Sequence, residues 1–186
     1  MNLNVEKILI IGLGMIGSSI ALASKSKGIK VYGFDKSNNS IKEALEKNII
    51  DSKVESILDI NSKDFVKKVD LIIVAVPPKQ TLDVLNDLKD IWNTDVTITD
   101  TSSVKNHIKL NGASNIVLSH PIAGSDQSGI SAANGDLFKN KKNVLCDPFN
   151  SKKGHFEKVD NFWKNALQMR TSSMSVAEHD LIFAMT

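Results

Sequence analysis

The sequence predicts an α/β fold, doubly wound around a mainly parallel sheet. Three observations lead there. The apolar runs Lys7–Ile11 and Asp70–Val76 read as strands buried on both faces, as a parallel sheet requires. Segments of helical periodicity alternate with these and with further strands. The first run stops at a glycine-rich turn that opens a helix, the arrangement in which such turns take on a binding role.

The elements follow in order. After the Lys7–Ile11 strand, Met15 to Lys27 is helical, with Ile16, Ile20 and Ala23 on one face. Lys30–Phe34 is the second strand, and Ser37 is the N-cap of a helix through Lys47. Asp70–Val76 is the strongest strand and ends at Pro77-Pro78, which cannot continue a ladder. Leu82, Leu85, Leu88 and Trp92 mark the next helix. Val96–Thr99 is a strand, Ser102 to Leu110 a short helix, Asn115–Leu118 a strand and Asn143–Cys146 a late strand. Phe156, Val159, Trp163 and Leu167 stripe a helix from about Ser151 to Met169. Ser175 to Thr186 begins a last helix, inside which the chain stops at an uncapped apolar stretch. That ending suggests a fragment, with the last dozen residues belonging to an element whose packing partners are missing.

Composition sets the outer limits. The 186 residues suffice for one domain, or one domain with a fragment of another. At 41% hydrophobic, the chain can bury a core, which excludes wholesale disorder. Lys and Arg total 23 against 21 Asp and Glu, a net charge of +2 without basic blocks, so nucleic acid is a poor partner. The single cysteine, Cys146, cannot form an internal disulfide or a cysteine-rich zinc site, and reads as a small buried hydrophobe. The polar start, Met1 to Lys7, does not resemble a secretory signal, and no apolar run nears the roughly 18 residues of a membrane span. The expectation is a soluble cytoplasmic protein that touches no membrane. Arg170 is the lone arginine, so lysine must serve wherever an anion needs a cation.

Gly12-Leu-Gly14-Met15-Ile16-Gly17 is a G-x-G-x-x-G motif between strand and helix, the Rossmann-type context. Gly12 permits the tight turn, Gly14 lets backbone approach a pyrophosphate, and Gly17 allows close packing of helix on sheet. The helix N-terminus presents unpaired N–H groups to the phosphates. Asp35 ends the second strand, 21 residues after Gly14. Its carboxylate can accept from the ribose hydroxyls and repels a 2′-phosphate, favouring NAD over NADP, an exclusion that Lys36 weakens slightly. Val76 and Pro77 fall beside this loop at the carboxyl edge of the sheet and form a cleft wall. The bland readings are a glycine turn that binds nothing and a proline pair that merely ends a strand.

Two polar clusters follow later strands, Asp100 to Lys105 and Ser119 to Ser125. Hydride transfer from an alcohol-like carbon needs a base for the hydroxyl proton, and histidine suits that near neutral pH. His120, just after a buried strand and before Pro121, is the best-placed candidate. His107 falls on the short helix between Lys105 and Lys109, His155 near a polar helix start, and His179, next to Asp180, could bind or cap. A lone histidine after a strand is more often structural than catalytic, so the residues alone leave both readings open.

Taken together, the 12–19 loop, Asp35, Asp100 to Lys105, and the run His120-Pro-Ile-Ala-Gly-Ser-Asp-Gln-Ser-Gly129 resemble the prephenate dehydrogenase family. The stretch from Ala133 to Val144 is similar to the family segment after the histidine motif, and Glu178-His179-Asp180 to the family's start of a second, helical domain, so the resemblance covers essentially the whole chain and implies a dinucleotide-binding domain over residues 1–172 and the truncated first helix of a helical dimerisation and substrate domain over 173–186. It implies NAD-dependent oxidative decarboxylation of prephenate to 4-hydroxyphenylpyruvate in tyrosine biosynthesis, with His120 taking the ring hydroxyl proton. It implies that Ser103 orients the histidine and that Ser125 lies near the substrate, where relatives often carry threonine. Asp126 stands where relatives often carry glutamate. The resemblance also implies a homodimer at full length, with further substrate contacts, an arginine among them, from the helical domain. Arogenate is a second possible substrate. Two further functions compete with this reading. A hydroxyacid-type dehydrogenase lacks its lysine motif here, and a non-catalytic NAD-sensing module does not require Ser103 and His120 together.

Overall fold

The computed structural model describes residues 5–124, 127–152 and 154–184. Eight strands form one sheet: β1 Lys7–Ile11, β2 Lys30–Phe34, β3 Ser52–Lys53, β4 Leu71–Val74, β5 Thr97–Asp100, β6 Ile116–Ile122, β7 Lys142–Cys146 and β8 Arg170–Ser173. Their order is β3-β2-β1-β4-β5-β6-β7-β8. All neighbouring pairs are parallel except β6 with β7. The helices are α1 Met15–Lys25, α2 Asn38–Glu46, α3 Ile57–Ile60, α4 Lys63–Val66, α5 Pro78–Asp87, α6 His155–Asn161 and α7 Val176–Phe183.

The unbroken apolar strands are explained by two cores, one on each face of the sheet. Ile8 and Ile10 of β1 and Leu71 and Ile73 of β4 join the core that contains Ile20 of α1 and Val159 of α6. Their alternates Leu9, Ile11, Ile72 and Val74 join the core containing Val84 and Leu85 of α5. Each fully buried side chain of this size stabilises the fold by roughly 1.5–3 kcal/mol. Sheet order reverses direction between β1 and β4, which opens a crevice at their carboxyl ends, where ligands bind in open α/β sheets. Among the described residues no helix is long and apolar enough to cross a membrane.

Local chemistry sets several boundaries. Ser37 caps α2 by accepting from the Ser40 N–H at 3.2 Å, as expected. Ser175 and Glu178 form a capping box that starts α7. Pro78 occupies the first turn of α5, where its missing N–H costs nothing.

Two expectations are corrected, and β8 adds a strand that the pattern did not predict. Ser102 to Leu110 is not a helix but a run of bends and turns. The Lys105 side chain is drawn inward to Asp100, and the backbone N–H groups of Lys105 and Asn106 are taken by Asp180, so helical partners are replaced by side chains. The helix from Ser151 begins only at His155 and widens into a π turn, Phe162–Ala166. The i to i+5 bond from the Leu167 N–H to the Phe162 carbonyl lets Phe162, Trp163, Ala166 and Leu167 all face the core. Arg170–Ser173, with no apolar alternation, is an edge strand zipped onto β7.

Candidate active site

The glycine loop joins β1 to α1. Gly12 has φ +99°, and a Cβ there would stand 2.6 Å from the Ala75 carbonyl oxygen; at Gly17 it would stand 1.9 Å from that of Gly12. Both positions therefore demand glycine. Over Gly14, by contrast, a Cβ would meet nothing within 4 Å, so the backbone there is open to a ligand. No side chain caps α1, which leaves its first-turn N–H groups as anion donors. Asp35 Oδ2 accepts from the Leu13 N–H at 2.7 Å and Oδ1 from the Ser37 N–H at 2.8 Å, so this carboxylate braces the loop and retains lone pairs for a ribose. A cavity of about 490 Å³ runs beside it, walled by Ile57, Val76, Pro77 and Val84, an apolar slot suited to an adenine. Donors, open loop and carboxylate fit a dinucleotide.

A second cavity, of about 370 Å³, continues from the loop. Gly14, Met15, Ile16, Val76 and Pro77 line one side, and Ser103 and His120 the other. The sequence-derived candidates from the loop, the proline wall and the two polar clusters thus share one crevice. Ser125, like Asp126, lies outside the described residues.

His120 sits on β6 with its backbone rigidly held. The preceding residue, Ser119, donates its N–H to Asp100 at 3.0 Å, accepts at its carbonyl from Lys105 Nζ at 2.6 Å, and accepts at its hydroxyl from Trp163 Nε1 at 3.0 Å. Asp100 and Lys105 are wholly buried and paired at 2.6 Å. Burial pushes the Lys105 ammonium below the usual lysine range against the opposing pull of Asp100. Of the polar cluster after β5, these two point inward and serve structure, whereas Thr101, Ser102 and Ser103 line the crevice.

The imidazole is hydrogen-bonded to a residue assigned no such role from the sequence. His120 Nδ1 lies 2.9 Å from Nε2 of His179, a fully buried side chain on α7. Phe183 packs against both rings, with centroids at 4.8 and 4.7 Å. Burial, then the charge of Lys105, then His179 push the His120 imidazolium down to about 4, with Asp180 opposing, so the ring is a neutral acceptor at neutral pH. The pairing of β6 with α7 spans 59 residues and leaves no local signal; the only cue was Glu178-His179-Asp180 itself. The remaining histidines lie elsewhere. His155 Nδ1 meets Thr97 Oγ1 at 2.7 Å, and His107, on a turn rather than a helix, has Nε2 3.1 Å from the Pro78 carbonyl.

A dinucleotide-binding α/β domain with a neutral histidine facing its ligand crevice is the cofactor half of a dehydrogenase-type protein. Residues 20–168 match the family described as prephenate dehydrogenase, nucleotide-binding domain, and the chain belongs to that family. It is 33% identical to prephenate dehydrogenase of Bacillus subtilis over 97% of this chain and 49% of that protein. It is 38% identical to the enzyme of that name from Lactococcus lactis, over 76% of this chain and 41% of the relative. The crystal structure of prephenate dehydrogenase from Aquifex aeolicus in complex with hydroxyphenyl propionate and NAD+ superposes with a TM-score of 0.84 at 28% identity, over 98% of this chain and 64% of that one. The chain thus spans about half the length, or less, of the curated relatives named here.

Proposed function

We propose that this chain carries the NAD site and the catalytic base of an enzyme that oxidatively decarboxylates prephenate to 4-hydroxyphenylpyruvate. The observation that carries this reading is the shared crevice: His120 and the phosphate loop line one cavity. The loop N–H groups and Asp35 would hold the dinucleotide, whose nicotinamide, when bound, accepts hydride. His120 accepts the proton of the ring hydroxyl at Nε2, the nitrogen not engaged by His179. Ser103, which lines the same cavity, would steady that hydroxyl. With the hydroxyl proton held by His120, departure of hydride would let the ring carboxylate leave as carbon dioxide; the electron pair of the broken C–C bond makes the ring aromatic, and the phenolate oxygen recovers the proton from His120. The Aquifex aeolicus relative, solved in complex with hydroxyphenyl propionate and NAD+, supports both ligand classes.

Residues 173–186 are read as the start of a helical domain that adds substrate contacts and dimerisation. Exposed Leu181 and Ile182 on α7 support this reading. A cytoplasmic homodimer is the assembly that the family resemblance implies. Two measurements test the proposal. Calorimetric titration of this chain should find NAD binding tighter than NADP; the reverse order would refute the role given to Asp35. Parallel assays of prephenate and arogenate, with the gene product at a length that sustains turnover, should give NADH formation with prephenate; activity with neither would refute the reaction.

A further inference from the structure

Three polar side chains are strung in a line behind the crevice. Asp180 Oδ1 lies 2.7 Å from His179 Nδ1, and His179 Nε2 lies 2.9 Å from His120 Nδ1. The carboxylate is itself pinned. Oδ1 accepts from the Lys105 N–H at 3.0 Å, and Oδ2 from the Asn106 N–H at 2.7 Å. Burial pushes the Asp180 carboxyl up, but the hydrogen bonds from His179, Asn106 and Lys105 outweigh it and hold the group ionised.

We propose that His179 and Asp180 are positioning residues that fix the tautomer of His120, leaving its Nε2 bare toward the crevice. The inference rests on His120 being the base, and it deepens that reading. The logic is one of donors and acceptors. A carboxylate can only accept, so His179 Nδ1 carries a proton. A His179 ring carrying that proton alone has a bare Nε2, which can only accept. His120 must therefore donate from Nδ1, and its own Nε2 is left without a proton. A proton arriving at Nε2 makes an imidazolium whose Nδ1–H already points along a chain ending in a negative charge. Phe183, packed against both rings, opposes rotation that would break the line.

The remaining charged and titratable groups around the ring do not supply this function. Lys105, on the segment after β5, is a cation committed to Asp100 and the Ser119 carbonyl. Cys146, on the strand paired with β6, is a neutral thiol raised to about 11 by burial. Lys141, with His120, lines a shallow pocket at the crevice mouth and can only donate. The same pair of histidines could hold the opposite tautomers if His179 carried its proton on Nε2, and the carboxylate on Nδ1 is what selects between the two.

Asp180→Asn tests this directly. The amide oxygen would take the Asn106 N–H, turning the amide NH₂ toward His179 Nδ1. His179 would then carry its proton on Nε2 and donate to His120 Nδ1, leaving the neutral His120 protonated at Nε2. Long-range ¹H–¹⁵N spectra of histidine-labelled 186-residue chain, without substrate, read the tautomers. The expected result is Nδ1–H at His120 in the wild type and a switch to Nε2–H in Asp180→Asn. His179→Leu gives a second route should the first variant not fold; removing the acceptor should release His120 into a tautomer mixture. Nε2–H at His120 in the wild type, or unchanged Nδ1–H in either folded variant, overturns the proposal. A purely structural role for α7 would lower stability without moving the tautomer. In turnover, Asp180→Asn should lower kcat by about 10²–10⁴-fold with KM nearly constant, the scale seen when a serine-protease triad loses its carboxylate in this way. Full turnover by His120→Asn would instead defeat the base reading, whatever the tautomer.

Discussion

The carboxylate of Asp35 and the backbone of Leu13 are joined by a 2.7 Å hydrogen bond across 22 residues. It ties the end of β2 to the middle of the glycine loop, so the side chain proposed to meet the ribose also shapes that loop. Asp35→Ala removes a charge-assisted bond worth about 1.5–3 kcal/mol. We expect NAD affinity to fall about 10–100-fold by calorimetry, with a lower unfolding midpoint even without ligand. A substitution that weakened NAD binding and left the apo-protein untouched would show that the brace to Leu13 is idle.

Gly17→Ala addresses the loop from its other end. Its Cβ would meet the Gly12 carbonyl at 1.9 Å, a contact that only backbone movement can relieve. The expected outcome is loss of measurable NAD binding together with destabilisation, whereas Gly14→Ala, with nothing within 4 Å, should leave stability nearly unchanged and weaken only the bound state. Thermal melts with and without NAD separate the two.

His120→Asn should lower turnover by roughly 10²–10⁴-fold, the usual contribution of a general base. NAD affinity should stay within about twofold, since the cofactor contacts come from the loop and Asp35. Steady-state kinetics beside calorimetry checks both halves.

The same ring makes stability depend on pH. Its folded value, about 4, lies below the unfolded 6.5, so the unfolded chain binds the proton more readily. The stability contributed by keeping His120 neutral is present above pH 6.5 and is lost as pH falls toward 4. Urea unfolding between these limits should show that decline. It should be shallower in His120→Asn, which cannot take up the proton.

Lys105 and Asp100 form a buried pair, so removing one partner strands the other. Lys105→Met should destabilise the fold by about 3–5 kcal/mol. Adding Asp100→Asn should recover part of the loss, although Asp100 also receives the Ser102 and Ser119 N–H groups. Denaturant melts of the two singles and the double form the cycle that measures the coupling.

The sheet and its ligand edge were legible in the chain because their causes are local. A run such as Ile8 to Ile11 can be satisfied only between two cores, and Gly12 and Gly17 announce the turn that needs them. The crevice shared by Ser103, His120, Val76 and Pro77 was expected from placing each beyond a strand's carboxyl end, although the strand expected over Asn115–Leu118 runs on to Ile122, so His120 lies within β6 and not after it. What could not be read arises from distant partners. Lys105 looked like a surface lysine on a helix because nothing nearby in sequence declares that it pairs with Asp100 beneath β6. Arg170–Ser173 carries no alternation, since an edge strand supported by β7 needs none. His179 could be read only as binding or capping until the fold laid α7 against β6.

The pairing of His120 opposite Val144 lies in the sheet's one antiparallel pair. Side chains on a strand alternate with a period of two, so a slip of one residue would turn the imidazole away from the crevice and present Pro121 in its place. The Trp163, Asp100 and Lys105 bonds on Ser119 lock that alignment from one side. An insertion or deletion within β6 or β7 would silence the protein even if it folded.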